Sequence, residues 1–385
     1  KSRQSHNLFE RKPDMVTKIL YDHQIFIYQE FGGISRYFYE LMSAFEKDED
    51  VRFDLSLAYS NNQYINNARF VKSRPFFKNR NFRFKNRLLH YLNMRGERKL
   101  LLGKDYDVFH PTYFNPYFLD YLGNKPFVLT IYDMVYELFP QIFSHRDKIG
   151  VYKKLLAPKA TKIIAISENT KHDIIRLFGI KEDKIEVIYL ANSLAAGTLE
   201  KGKGVAGDLP PKYLLFVGNR RVYKNFDLFV ESLSSLLKDD NGLHLVCAGG
   251  GKFTSSEIAG LEKLGIMQKV TQRPFDDNKL AQFYLNALAL VFPSLYEGFG
   301  IPILEAFSCG CPVIVSNISS LPEVAGNAAE YFDPADKMSI LSTVKKVICN
   351  DDLRQELKAR GYERLKKFSW EKTATNTKKL YQSIL

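Results

Sequence analysis

The sequence predicts an α/β protein built as two doubly wound domains joined by a linker. Apolar runs of strand length alternate with helically spaced apolar residues over 17–190 and again over 213–366. Between them, 191–212 carries Gly197, Gly202, Gly204, Gly207, Pro210 and Pro211 and few large apolar residues, as a linker does. Strand patterns run into glycine turns and then helical patterns at Gly32-Gly33 and at Gly298 to Gly300, and Gly249 to Gly251 follow a third strand pattern. In open parallel sheets, ligands gather outside the carboxyl ends of strands, where such turns lie.

The 385 residues, 45% hydrophobic and 25% charged, suffice for two cores. No apolar run approaches the roughly 20 residues that span a bilayer, and no signal peptide is visible, so a cytoplasmic protein is expected, soluble or at the inner face of the membrane. Of four cysteines only Cys309 and Cys311 lie close, in a spacing that suits neither zinc nor a disulfide framework, and they read as reduced core thiols. The net charge of +12 calls for an anionic partner: phosphorylated substrate, anionic lipid or nucleic acid.

Residues 1–16 read as a tail, with Met15 resembling a start and Lys1 to Asp14 a vector-derived, linker or preceding segment. Lys18 to Ile25 is expected as a strand and Ile34 to Phe45 as a helix. Gly32 and Gly33 between them either admit a phosphate or acceptor sugar close to the backbone or form a plain tight turn. From Arg69 to Lys99 there are eleven basic residues and one acid, Glu97, interleaved with Phe70, Phe76, Phe77, Phe82 and Phe84. Such a segment suits an anionic membrane surface, a single-stranded nucleic acid, or a solvated helix with its aromatics turned inward; the membrane is the expected partner, and nucleic acid is not.

Asp107 to His110 and Phe127 to Tyr132 read as strands, which puts His110, Tyr132 and Asp133 at carboxyl ends. His110 is a cleft residue or a satisfied core histidine. Strand Lys162 to Ile166, helix Glu168 to Phe178 and strand Ile185 to Ile188 complete the first domain, 17–190.

In the second domain, 213–366, strand Tyr213 to Val217 leads into G-N-R-R-V-Y-K-N, and Asn225 is expected to cap the next helix. Arg220, Arg221 and Lys224 there either hold a phosphate or form a solvated charge cluster. Strand His244 to Cys247 and helix Asp277 to Leu288 follow. Strand Ala287 to Phe292 then opens onto PSLYEGFGIPILEAFSCGCPVI, Pro293 to Ile314, with a helix starting at Pro302. Backbone N–H groups and a positive helix end meet at that turn and favour an anion. Glu297 and Glu305 frame it, as acceptors for polyol hydroxyls or as two solvated glutamates on a capped helix.

The phrases E-G-F-G-I-P-I-L-E-A, G-C-P-V-I and S-S-L-P-E-V-A-G-N-A-A resemble the retaining glycosyltransferases of family four, closely from Val217 to about Pro334 and loosely from Ile19 to Trp370. The resemblance implies the GT-B fold, two Rossmann-like domains facing a cleft, with residues 367–385 a helix crossing back onto the first. It implies a hexosyltransferase whose donor is a GDP- or UDP-linked sugar and whose acceptor is a glycan or lipid-linked glycan, with no cofactor; no D-x-D acid cluster sits at a candidate cleft and the nearby cations can neutralise much of a diphosphate, so no metal is expected either. By the same resemblance Arg220 and Lys224 grip the donor diphosphate, with Arg221 the competing arginine. Glu297 faces the sugar hydroxyls beside Gly298, Phe299, Gly300 and Ile301, and Glu305 reaches the ribose. Arg273, Pro274 and Phe275 receive the base, and Gly32-Gly33 line the cleft. Tyr132 stands where the family usually has a histidine. The phrase Arg220 to Phe226 is most similar to bacterial polysaccharide mannosyltransferases. A sugar-nucleotide epimerase of the same fold and a non-catalytic nucleic-acid or lipid binder are the rival readings.

Overall fold

The computed structural model describes residues 16–66, 68–78, 80, 82–194 and 209–385. The expectations for Lys1 to Asp14 and most of those for the linker fall outside them. The chain groups into two compact units, one of Lys1–Thr130, Tyr152–Ile163 and Ala374–Leu385, the other of Ile131–Val151 and Ile164–Thr373. The division does not follow the sequence boundary near residue 190, because the 131–151 and 164–190 segments bond to the turns of the second unit, as described below.

In the first unit, β1 (Thr17–Tyr21) lies between β2 (Val51–Leu55) and β3 (Val108–His110), both parallel to it. The strand expected to reach Ile25 stops at Tyr21, and Gln24–Tyr28 is helical instead. Asp22 causes the change: its carboxylate accepts from the Gln24 backbone at 3.2 Å and from the Gln24 side chain at 2.6 Å, folding the chain back after the strand. Helix Gly33–Phe45 buries Tyr37, Phe38, Leu41, Met42 and Phe45, the face its spacing predicts. The end of the chain belongs here too. In helix Trp370–Ser383, Tyr381 is fully buried and its hydroxyl meets Tyr21 at 2.9 Å and His110 Nδ1 at 2.6 Å.

Helix Lys85–Gly103 turns Leu89, Asn93, Glu97 and Leu101 inward. Fully buried Glu97 enters a cluster with fully buried His23 and partly buried Tyr117, and His23 Nε2 in turn meets His90 Nδ1 at 2.9 Å. Burial pushes the Glu97 carboxyl up to about 8 and Asp22 up to about 6, and pushes His23 and His90 down to about 4. A protonated Glu97 donating to His23 Nδ1, with His23 Nε2–H donating to His90 and Tyr117 donating to Glu97, satisfies every atom. The histidines, whose folded values are lowered, give stability that is present above about 6.5 and lost as pH falls toward 4; the carboxyls, whose folded values are raised, give stability lost as pH rises. Above pH 6.5 only Glu97 remains to titrate in this group, so stability is expected to fall by on the order of 1–2 kcal/mol between pH 6.5 and 8. Glu97→Gln, the uncharged mimic, should flatten that stretch of a melting-temperature profile. An unchanged slope would show that Glu97 is ionised throughout.

β4 (Val128–Ile131), β5 (Lys162–Ala165) and β6 (Ile185–Val187) form a second three-stranded sheet in that order. The second unit contains β7 (Lys212–Val217), β8 (Leu243–Ala248), β9 (Val270–Arg273), β10 (Ala289–Phe292), β11 (Val313–Ser316) and β12 (Glu330–Phe332). Their order is β12-β11-β10-β7-β8-β9, all parallel. From β7 the chain winds outward through β8 and β9, then returns to β10 and winds the other way. The switch point of this doubly wound sheet lies between β7 and β10. The central strands β7, β8, β10 and β11 are buried along nearly their whole length, as strands covered by helices must be, while β9 and β12 at the edges are partly exposed; Leu214, Phe216, Val291 and Ile314 are fully buried in one cluster with Phe229, Leu233 and Val344. Among the described residues, no helix is long and apolar enough to cross a membrane.

Candidate active site

The loops leaving β7 and β10 bring together two residues 73 apart in sequence, Lys224 and Glu297. Lys224 ends a 3-10 turn, Val222–Lys224, and Asn225 behind it takes a left-handed conformation (φ 57°) while its side chain donates to the Pro334 carbonyl at 2.8 Å. Asn225 is thus held by its neighbour rather than capping through its side chain. Lys224 Nζ lies 2.5 Å from Glu297 Oε1, with side-chain exposures of only 11% and 14%. The Leu295 N–H donates to the Tyr223 carbonyl at 2.7 Å and ties the two loops together. A cation and a carboxylate held with little water contact at a switch point have the chemistry to meet a ligand carrying both negative charge and hydroxyls.

The turn after Glu297 is fixed on every side. Ser319 Oγ accepts from the Glu297 N–H at 3.1 Å and donates to its carbonyl at 2.7 Å, while Ser320 Oγ donates to the carbonyls of Glu297 (2.9 Å) and Phe299 (3.1 Å). The Gly298 carbonyl accepts from Ser167 Oγ at 2.7 Å and Thr170 Oγ1 at 3.2 Å. A Cβ on Gly298 would sit 1.7 Å from the Tyr132 carbonyl oxygen, so only glycine fits. Gly300, at φ 102°, caps helix Ile301–Ser308, and Pro302 stands in its first turn as predicted. Phe299 is buried with its ring 6.0 Å from Tyr189 and 5.8 Å from Phe368. Glu305, one turn into the helix, is buried and accepts from the Tyr284 hydroxyl at 2.9 Å. Neither glutamate is a solvated surface residue.

Arg220 is placed otherwise than the sequence suggests. Its side chain is 3% exposed and pairs through Nε with Glu257 at 2.6 Å. Its remaining donors reach the carbonyls of Gly249 (3.2 Å), Gly251 (3.0 Å) and Lys252 (3.1 Å), and its guanidinium stacks 4.7 Å from the Phe253 ring centroid. Burial alone would raise the Glu257 carboxyl, but hydrogen bonds from Arg220 and Thr254 hold it below its ordinary value. Arg220 therefore fastens the turn Gly249 to Gly251, whose three residues all have positive φ, rather than presenting itself to a diphosphate. Arg221 is exposed, its guanidinium 5.9 Å from the Phe143 ring centroid, and is the arginine left for a ligand. Arg220→Ala should cost on the order of 3 kcal/mol in chemical denaturation, because it strands Glu257, whereas Arg221→Ala should leave stability unchanged. Equal stability of both variants would contradict this assignment.

Beside the same turn, the Arg273 carbonyl at the end of β9 accepts from the Gly249 N–H at 3.0 Å. The Phe275 ring covers Gly249 so closely that a Cβ would meet it at 2.9 Å. Exposed Pro274 lies between them.

Residues 202–364 match the model of "Glycosyl transferases group 1" and residues 31–191 that of "Glycosyltransferase Family 4". The chain belongs to the group 1 glycosyltransferases. It is 28% identical over 300 residues to O-antigen chain mannosyltransferase B of Escherichia coli, covering 73% of this chain and 75% of that one. It is 29% identical over 220 residues to the O-antigen chain mannosyltransferase RfbU of Salmonella typhimurium, covering 57% and 60%. Among solved structures, Anabaena Alr3699/HepE in complex with UDP and glucose superposes with a TM-score of 0.71 at 16% identity, over 95% of this chain and all of that one. The fold is GT-B.

In this glycosyltransferase the second unit gathers Lys224, Glu297, the 298–301 turn, Glu305 and Tyr132 around the ends of β7 and β10, and gathers Arg220 with 273–275 around the Gly249 turn. Gly32, Gly33 and His110 belong to the first unit. Gly32 has extended backbone and packs on Gln29, whose Oε1 would lie 2.5 Å from a Cβ there. His110 is fully buried, with Nδ1 on the Tyr381 hydroxyl and Nε2 on Thr130 Oγ1 at 2.8 Å. Burial lowers it to about 3, so it stays neutral as a core histidine, and the cleft role is corrected. Sequence reasoning missed the supports of the turn: Ser167, Thr170, Ser319, Ser320 and Glu323, whose carboxylate accepts from the Glu168 and Asn169 N–H groups at 2.7 and 3.2 Å. Isolated serines carry no periodicity or motif signal, and only S-S-L-P-E was visible, through the family phrase.

Proposed function

We propose that this glycosyltransferase is a retaining hexosyltransferase that moves a sugar from a GDP- or UDP-linked donor to a glycan or lipid-linked acceptor, in the synthesis of a surface polysaccharide or glycoconjugate. The observation that carries the reading is the sequestered Lys224–Glu297 pair at the switch point of the second sheet. The names of the O-antigen mannosyltransferases and the UDP and glucose bound by the Anabaena neighbour are in keeping with it.

An ammonium has three protons. One serves Glu297, and the others are available to a donor phosphate, where they neutralise charge that grows as the nucleoside diphosphate departs. Arg221 adds a second cation at the rim. Glu297, held by Lys224 and by its own backbone contacts, accepts from hydroxyls of the transferred sugar, and Glu305 accepts from the ribose. The acceptor attacks the face from which the diphosphate leaves, and that diphosphate takes the acceptor proton, so the chain supplies neither a general base nor a metal ion. The enzyme works on the cytoplasmic side, peripherally at an anionic membrane through residues 69–99, and binds no nucleic acid.

Calorimetric titration with GDP and UDP tests the donor assignment. One of the two should bind to the wild type, and Arg221→Ala should weaken it roughly tenfold, the worth of a charge-assisted phosphate contact. Failure of both to bind would favour a non-catalytic scaffold.

A further inference from the structure

Helix Lys85–Gly103 carries its larger apolar surface outward. Its inward seam, Leu89, Asn93, Glu97 and Leu101, is half polar. On the opposite side Phe84, Leu88, Tyr91 and Leu102, each 41–55% exposed, follow at helical spacings with Arg95 and Arg98 between them. An ordinary surface helix shows the reverse pattern. The exposed rings are set among cations: Arg83 and Arg87 lie 4.8 and 5.4 Å from the Phe84 ring centroid, and Arg95 lies 4.9 Å from that of Tyr91 while bonding its hydroxyl at 2.8 Å. Phe77 and Phe82, also exposed, pair with centroids 5.7 Å apart just ahead of the helix. The one acid of the segment, Glu97, points into the unit, so the outward face carries no carboxylate of its own.

We propose that this face seats the helix in the plane of an anionic lipid bilayer, with Phe84, Leu88, Tyr91 and Leu102 entering the headgroup boundary and the flanking arginines on lipid phosphates. The inference rests on the reading that the enzyme works at an anionic membrane, and adds which face makes the contact and that apolar insertion contributes alongside charge. Charge complementarity selects lipid over a second copy of the chain. The stripe has a spacing that two helices could share, but pairing would oppose Arg95 and Arg98 to like charges with no acid to meet them. A lipid surface supplies a phosphate for each.

The test uses the full chain and sedimentation with phosphatidylcholine vesicles, with and without phosphatidylglycerol, at low salt. Wild type should sediment only with the anionic vesicles, and added salt should weaken it. The triple variant Leu88→Ser, Tyr91→Ser and Leu102→Ser keeps every charge, yet should lose about tenfold or more in partitioning while its melting temperature stays that of the wild type, since all three side chains are exposed. Leu88→Trp should be quenched by nitroxide-labelled acyl chains. If wild type binds but the triple variant binds equally and Leu88→Trp is not quenched, the membrane reading stands and the insertion face is wrong. If wild type ignores anionic vesicles, the membrane reading itself fails. Self-association of the wild type without lipid, abolished in the triple variant, would assign the face to a second copy, and tight binding of a single-stranded oligonucleotide that vesicles do not displace would assign it to nucleic acid.

Discussion

Lys224→Ala is expected to reduce both nucleoside diphosphate affinity and protein stability. The first loss, tenfold or more, follows from removing the charge-assisted contact proposed between Lys224 and the diphosphate. The second follows from Glu297, which would be left as a carboxylate with little solvent and no cation at 2.5 Å; breaking one side of a buried pair costs about 3 kcal/mol or more. From sequence alone the variant is expected to leave the fold untouched, because a loop lysine gives no sign of its partner. The double variant Lys224→Met, Glu297→Gln separates the two effects. It should recover most of the stability, since no buried charge is then uncompensated, while transfer stays lost. Glu297→Gln alone should lower turnover far more than nucleotide affinity, because the contacts proposed for it are to the transferred sugar and would count most at the transition state. A double variant that regains transfer would show that neither charge is needed in the reaction.

Gly298→Ala should be the most disruptive single methyl in the second unit. The added Cβ would lie 1.7 Å from the Tyr132 carbonyl oxygen and 3.1 Å from Asp133 Cβ, against backbone that no rotamer change can move aside. Either the turn or the 131–134 segment must shift by more than an ångström. The Gly298 carbonyl would then lose Ser167 and Thr170, and Glu297 would be carried with it. A displacement of about 1 Å in a site costs on the order of a hundredfold in rate, and several kcal/mol of stability should go as well. Paired measurements of kcat/KM and of denaturation midpoint on Gly298→Ala decide the matter. A variant as active and as stable as the wild type would mean that the approach of Tyr132 to the turn is absent in solution.

The alternation of strands and helices in the second unit is legible because its central strands are short, mostly apolar and bounded by glycine or proline. Helix Glu168–Phe178 was read to the residue, having Ser167 as its cap and Gly179 at its end. The expected strand Lys18 to Ile25 overshoots β1 because apolar Ile25 continues its pattern, while the turn that stops it depends on Asp22 meeting Gln24 and on Thr112, 90 residues away. The two glutamates and Lys224 were found from local phrases, but that Lys224 and Glu297 touch is a property of strand order, which places β10 next to β7. Arg220 and Arg221 were indistinguishable for the same reason. What separates them is Glu257, 37 residues downstream, and the carbonyls of a turn whose shape the sequence does not show. His110 sits at the end of a strand like a ligand residue, and only Tyr381, 271 residues on, shows that it is core.

The central claim is that the chain transfers sugar from a nucleoside diphosphate with retention, using Lys224 and Glu297. Proton NMR of GDP-mannose or UDP-glucose incubated with the protein tests it most directly, by following the slow hydrolysis that stands in for transfer when acceptor is absent. The account predicts release of the nucleoside diphosphate together with sugar that first appears in the anomeric configuration of the donor and unaltered at C2, at a rate insensitive to EDTA and abolished by Lys224→Ala with Glu297→Gln. First appearance of the opposite anomer, or no release of nucleoside diphosphate from either donor, would contradict it.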